Sequence, residues 1–285
     1  MNKVGDYILL LGRSCDRVLQ HLAKYLYEHK YKGLFIDHDR IGVDIHLDNK
    51  NWYLPDNNIL PHNNIRSVFN RTASLVPNGN YKAEQVVANS FLTGILDYGY
   101  NAVFNRPCHI MSNCSKPYQS SLVKDFPLCF PKSNIYANVK LNNLSENIIF
   151  KSISSVRSIV TNLSNSKTSL VTEPVLFQEK IIGDNIRVHV IGDSLVAVRI
   201  RATSIDYRYC QDTNFSEFTL PKKIASTCVE MAKFLKLYFC GIDLIKSGNS
   251  YYFLEANPAP GYSYYENRIK SMPISNALVK LLATG

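Results

Sequence analysis

The sequence predicts a mixed architecture, an α/β fold followed by an α+β fold, on three observations. The chain opens strand–helix–strand, like half of a doubly wound nucleotide-binding sheet. From Lys116 onward short strands and helices alternate without that regularity. A hairpin over Tyr238–Ile245 and Tyr251–Ala256 then precedes a closing helix. The change of texture falls between residues 110 and 130 and divides the chain into residues 1–112 and 113–285.

Tyr7–Leu11 is a continuous apolar run of strand length, as expected of a buried parallel strand. Gly12-Arg13-Ser14 turns into a helix from about Asp16 to His29, with Val18, Leu22, Tyr25 and Leu26 on one face. Gly33–Asp37 is a second strand ending in an acid. The turn lacks G-x-G-x-x-G, so this start is not expected to hold a dinucleotide. Val43–Leu47 and Trp52–Leu54, split by Asp48-Asn49-Lys50-Asn51, suggest a hairpin. The string Val-Phe-Asn-Arg occurs at 68–71 and again at 103–106, with an amphipathic helix from about Lys82 to Asp97 between. Both copies read as strand ends carrying an arginine to the same edge of a sheet; chance recurrence is the alternative.

A short helix (Lys116–Asp125) and strands at Asn134–Ala137 and Ile148–Lys151 come next. Ser152–Ser158 is a Ser-rich loop and Asn162–Ser169 a polar turn. Strands at Leu176–Ile181, Ile186–Ile191 and Leu195–Arg201, a helix from about Pro221 to Leu235, the hairpin and a helix over roughly Pro273–Leu282 complete the chain.

A chain of 285 residues can bury a core without a disulfide or metal staple. Its 46% hydrophobic and 19% charged residues exclude disorder. No apolar run approaches the ~18–20 residues of a membrane span, and the five apolar residues after Met1–Asp6 are too few for a signal-peptide core. We therefore expect a cytoplasmic protein with no membrane partner. Lys and Arg total 32 against 23 Asp and Glu, a formal charge of +9, which favours an anionic partner. The basic residues are scattered, which argues against nucleic acid. Seven cysteines without a C-x-x-C pair are expected to be reduced thiols, mostly in the core.

The hairpin carries the strongest constellation: Gly241-Ile242-Asp243 against Phe253-Leu254-Glu255-Ala256-Asn257-Pro258. Residues two apart on a strand share a face, so Glu255 and Asn257 project together. With a three-residue turn, Gly248-Asn249-Ser250, Asp243 falls opposite Glu255; a two-residue turn would shift the register. Opposed like charges destabilise a sheet, and a hard divalent cation relieves the repulsion. Three oxygen side chains plus phosphate oxygens suit Mg²⁺. Taken alone, the triplet is better explained as a solvent-facing strand edge with two ordinary acids. Lys151 precedes a Ser-rich loop whose amides and hydroxyls could wrap phosphate, although a solvated loop is the plainer account. The backbone of Phe177–Ile181 could border an adenine. Asp184 and Arg187 suit ribose hydroxyls and a phosphate, or a salt bridge. His189 is expected to be a packed core histidine.

In chain order, Asn113-Cys-Ser-Lys-Pro-Tyr-Gln119, Ile149–Ser158, Phe177-Gln-Glu179, Asp184–His189, Asp206-Tyr-Arg208, Gly241-Ile-Asp243 and Phe253–Pro258 resemble the ATP-grasp superfamily. The branch they resemble is the ribosomal-protein-glutamate-ligase-like one, which includes the peptide-macrocyclising graspetide ligases. The β-α-β start is similar, at fold level only, to a Rossmann-like pre-grasp domain. This resemblance implies two α+β subdomains with ATP between them. It places Lys116 and Lys151 on the phosphates, with Ser154 and Ser155 in the phosphate loop where many relatives carry glycine. It places Gln178 and Glu179 at adenine, Asp184 at ribose, and Asp243, Glu255 and Asn257 on Mg²⁺. Arg187 and Arg201, with Lys151, would serve the transferring or acyl phosphate as catalytic residues.

The activity so implied is ATP-dependent ligation of a carboxylate to an amine or a hydroxyl, on an amino acid or a peptide. Arg13, Arg71, Arg106 and Arg208 are candidates for holding the substrate, the first three because strand ends line a crevice and arginine forks suit carboxylates. Surface or domain-interface roles are the equal alternative. An ATP-binding protein without turnover and a nucleic-acid-binding protein are the competing functions, and the complete Asp243/Glu255/Asn257 set argues against the former. A homodimer is left open.

Overall fold

Tyr7–Gly12 is buried along almost its whole length, and its two faces feed different cores. Leu9 and Leu11 meet Ile36, Trp52, Val68, Ile95 and Val103; Ile8 and Leu10 belong to a second cluster. This alternation is what a parallel strand covered on both sides requires. The structure, a computed structural model, describes residues 5–72, 83–140, 147–154, 160–162, 170–201, 214–269 and 273–285. Ser155, Arg208, Asp206, most of the Ser-rich loop and the polar turn at 163–169 lie outside the described residues.

The N-terminal sheet is parallel, in the order Gly33–Asp37, Tyr7–Gly12, Ile65–Asn70, Val103–Phe104. Helix Arg17–Glu28 follows the first strand, capped by Asp16, whose Oδ1 accepts from Val18 N at 2.8 Å. Helix Ala83–Gly94 continues into a π-helical turn, Ile95–Gly99. The expected hairpin gains a third strand and becomes His46–Leu47, Asn51–Tyr53 and Ile59–Pro61. Its buried Trp52 donates from Nε1 to the Tyr100 hydroxyl at 2.7 Å.

The two Val-Phe-Asn-Arg strings are neighbours in register: Val68 pairs with Val103 and Phe69 with Phe104. Their asparagines do the joining. Asn70 Nδ2 donates to Asn105 O at 2.8 Å. Asn105 Nδ2 donates to Phe239 O at 2.6 Å and Pro258 O at 2.9 Å, while its Oδ1 accepts from Phe239 N at 3.3 Å.

The remainder holds a four-stranded antiparallel sheet, in the order Val160–Asn162, Ile148–Ser152, Val175–Glu179, Ser133–Tyr136, and a two-stranded pairing of Val139–Lys140 with Leu170–Val171. Beside them lies a five-stranded antiparallel sheet, in the order Asn214–Glu217, Ser194–Arg201, Asp184–Ile191, Phe239–Ser247, Ser250–Asn257. Helix Lys222–Phe234 covers one face over Ile186, Val188, Ile242, Leu244 and Phe253. The other face shares its core with the N-terminal sheet: Val198, Phe239, Tyr262 and the closing helix Ile274–Thr284 pack with Ile8, Leu10, Leu22 and Phe69. Ser67 Oγ also donates to Leu282 O at 2.7 Å. One core therefore spans the division at residue 112. Among the described residues no helix is long and apolar enough to cross a membrane.

Because Asn105 is 1% exposed, Asn105→Ala strands two backbone groups of Phe239. A buried unpaired group costs about 1–3 kcal/mol, so urea unfolding is expected to show a loss of about 2–4 kcal/mol. Asn58→Ala, which removes an exposed turn bond to Pro55 O, is expected within about 0.5 kcal/mol of wild type. Equal stability of the two variants would remove Asn105 as the joint.

Candidate active site

Asp243 lies midway along Phe239–Ser247; Glu255 and Asn257 close the facing strand Ser250–Asn257. The turn between them has two residues, not the expected three: Ser247 pairs with Ser250, and Gly248 takes φ +56°, open to glycine at no steric cost. A regular ladder from that turn would set Leu254 opposite Asp243 and send Glu255 toward the core beside Phe253. A bulge prevents this. Leu244 pairs with Phe253, but Asp243 pairs with Glu255, so Leu254 is the extra residue. The predicted opposition of the acids stands, reached through a bulge instead of a longer turn.

Each acid has its own cation. Arg187, opposite Asp243 on the next strand, places Nε 2.9 Å from Asp243 Oδ1. Lys116, at the start of helix Lys116–Leu122, places Nζ 3.6 Å from Glu255 Oε2. Gly241 makes the first contact feasible, because a Cβ there would stand 2.6 Å from Arg187 Nη1. Asn257 Oδ1 accepts from Ala259 N at 2.8 Å, which orients the amide. Two carboxylates and an amide oxygen form a hard donor set that fits Mg²⁺ when phosphate oxygens complete it. Among the described residues no group of three His, Cys, Asp or Glu competes as a metal site.

The four-stranded sheet contributes Lys151, 9% exposed, whose Nζ donates to Gln178 Oε1 at 2.8 Å. Gln178 Nε2 in turn donates to Ser133 Oγ at 3.1 Å. Burial lowers the Lys151 pKa to about 8; Glu255 and Asp243 pull it upward and Lys116 downward. That coupling places Lys151 within the electrostatic reach of the acids although it stands on another sheet. Lys116 bridges the two sides, with its backbone N donating to Ile153 O and its Nζ to Ser154 O, both at 3.0 Å. Glu179 is exposed and pairs with the backbone of Lys132.

Not every predicted residue joins this cluster. Asp184 and Arg187 are three apart on one strand and so face opposite sides. Asp184 shares the side of Ile186, under helix Lys222–Phe234, and pairs with Arg199 Nε at 3.3 Å and Arg201 Nε at 3.5 Å. Arg201 thus stands on the opposite face from Asp243, contrary to its assignment as catalytic, because its strand parity matches Ala197 in that helix-covered core. Arg106 is also corrected: it donates to the carbonyls of Leu96, Asp97, Tyr100 and Asn101, where it closes the π-helical turn. Arg71 pairs with Asp16 Oδ2 at 2.7 Å and donates to Pro260 O, which makes it a joint between the N-terminal sheet and the loop after Asn257. Arg13 pairs with Asp39 at the surface.

His189 is fully buried and packs edge-on to Tyr265, with burial holding its pKa well below the ordinary value. The core role expected of it stands. Gln119 escaped the residue-level reading. It lies one helical turn beyond Lys116 and clamps Ala256, with Oε1 accepting from Ala256 N at 2.7 Å and Nε2 donating to Ala256 O at 2.9 Å. Its sequence signals were its place at the end of the stretch Asn113–Gln119, which carries the family resemblance, and its three-residue spacing from Lys116, one helical turn.

Solved structures share this architecture along its whole length. The macrocyclase MdnC from Microcystis aeruginosa MRC, bound with precursor peptide MdnA, superposes with a TM-score of 0.78 at 19% identity, covering 98% of this chain and 100% of that one. A RiPP-associated ATP-grasp ligase from Chryseobacterium gregarium, in complex with ADP and a leader and core peptide, gives 0.76 at 18% identity, covering 98% and 97%. The ATP-grasp ligase PsnB, complexed with minimal precursor, Mg and ADP, gives 0.74 at 20%, covering 99% of both chains. No curated protein matches the chain. At such identities the likeness is one of fold. The sequence model of the RimK-like ATP-grasp domain, however, matches residues 132–282, just over half of the chain, and the chain belongs to that family.

Proposed function

We propose that the protein is an ATP-dependent ligase that joins a peptide carboxylate to an amine or hydroxyl through an acyl phosphate. The observation that carries the reading is the opposition of Asp243 and Glu255, each beside a cation, across from the buried Lys151. The peptide as substrate is supported by the peptides bound to three proteins of the same fold.

The chemistry follows from charge. A substrate carboxylate oxygen attacks the γ-phosphorus; that O–P bond forms as the bond to the β-phosphate oxygen breaks and ADP leaves. The nitrogen or oxygen nucleophile then attacks the activated carbonyl carbon, phosphate departs, and the nucleophile's proton passes to solvent. Two anions must meet in the first step, so positioned positive charge supplies most of the stabilisation. Lys116 and Lys151 hold the phosphate oxygens from the two sides, and Arg187 faces the reacting end beside Asp243. Asp243, Glu255 and Asn257 would hold Mg²⁺, which neutralises developing charge on the phosphoryl oxygens.

Incubation with ATP, Mg²⁺, a candidate acid or precursor peptide and hydroxylamine is expected to yield a hydroxamate and ADP. Asp243→Asn and Glu255→Gln should each lower carboxylate-dependent ADP formation about 10²–10³-fold, the range for loss of one electrostatic stabiliser. Full activity in either variant, or in excess chelator, would overturn the assignment.

Lys151 must be protonated to meet a phosphate, and its pKa is lowered to about 8. ATP affinity is therefore expected to fall as pH rises through 8. Lys151→Ala should bind ATP at least ~10-fold more weakly, as a charged contact is worth about 1.5–3 kcal/mol. Lys151→Arg should bind without the alkaline decline. A flat profile in the wild type would count against Lys151 as the phosphate contact.

A further inference from the structure

Among the described residues the strand Ser250–Asn257 is the outer strand of its sheet, so alternate N–H and C=O groups along it meet no neighbouring strand there. Before the bulge, Cys129 fills that gap: its N donates to Tyr251 O and its O accepts from Phe253 N. The bulge at Leu254 advances the outward-facing set by one residue, from Tyr251 and Phe253 to Ala256. There the carboxamide of Gln119 replaces a strand and takes both backbone groups of Ala256. Gln119 is 1% exposed, so both bonds are shielded from water. Ala256 sits between Glu255 and Asn257. If the strand straightened, the outward groups at this point would belong to Glu255, whose side chain would turn toward Phe253 and away from Asp243.

We propose that Gln119 is a positioning residue that holds the bulged register and thereby keeps Glu255 and Asn257 on the face of Asp243. It acts through backbone and touches no reacting atom. Its place one turn after Lys116 means that a single short helix fixes the strand and also supplies the cation beside Glu255. The inference rests on the metal reading of Asp243, Glu255 and Asn257 given above.

Two readouts independent of turnover test it, on the full chain with Mn²⁺ as probe and ADP present. In Gln119→Ala, the Ala256 amide is expected to exchange with deuterium at least ~10-fold faster while the Phe253 amide, held by Cys129, is unchanged. The Mn²⁺ dissociation constant, read from the free-ion electron paramagnetic resonance signal, is expected to rise at least ~10-fold. Unchanged Mn²⁺ binding in a folded Gln119→Ala would overturn the inference and leave the metal site standing. Absence of Mn²⁺ binding in the wild type would overturn both.

Should Gln119→Ala fail to fold, Gln119→Glu decides. A protonated carboxyl reproduces both bonds, whereas an ionised one opposes Ala256 O, and burial favours the protonated form. The deficit in Mn²⁺ affinity relative to wild type is expected to widen between about pH 6 and about pH 8.5, as the carboxyl ionises. A deficit that is absent or constant with pH would overturn the inference.

Discussion

Two carboxylates held face to face across adjacent strands are the constraint around which this molecule is arranged. Asp243 and Glu255 repel in that position, and the surrounding sequence answers the repulsion locally. Arg187 reaches Asp243 because residue 241 is glycine. Lys116 reaches Glu255 from the start of a helix that also contacts the Ile153–Ser154 backbone.

The N-terminal sheet is part of the same arrangement. Asn105, held in turn by Asn70, grips the first residue of one acid-bearing strand, Phe239, and the residue just after the other, Pro258. The apolar core shared between Leu10, Phe69, Phe239 and Leu278 fixes the angle at which it does so. Residues near the start of the chain thus help hold a site assembled near its end.

Long elements with a strong period were legible from the sequence. The apolar run Tyr7–Leu11, the amphipathic helix after it and the hairpin at 238–256 all lie close to where they were expected. Short or polar elements were not, among them Ile59–Pro61, Asn214–Glu217 and Ser263–Glu266, where three or four residues carry no periodicity. Site residues were legible where strand parity alone decides a face, as for Glu255 with Asn257. Parity also shows why Asp184 and Arg201 fall away from Arg187, a conclusion available in the sequence but not drawn there. The carbonyls that take up Arg106 could not be foreseen, since they gather only when the helix before Gly99 loosens into a π turn. Gln119 was hidden for a related reason: its partner is backbone, and backbone groups have no letter in a sequence.

The bulge at Leu254 also bears on how such chains drift in length. Whether Asp243 meets Glu255 depends on the turn and the bulge together: a two-residue turn needs the extra residue at Leu254, and a three-residue turn does not. A descendant that gains a residue in the turn and loses the bulge would keep the acids opposed, with the backbone at Cys129 sliding by one position. Selection would then preserve a residue count while leaving the shape of the hairpin tip to vary, so chains of this kind that look misaligned at the turn can share one site.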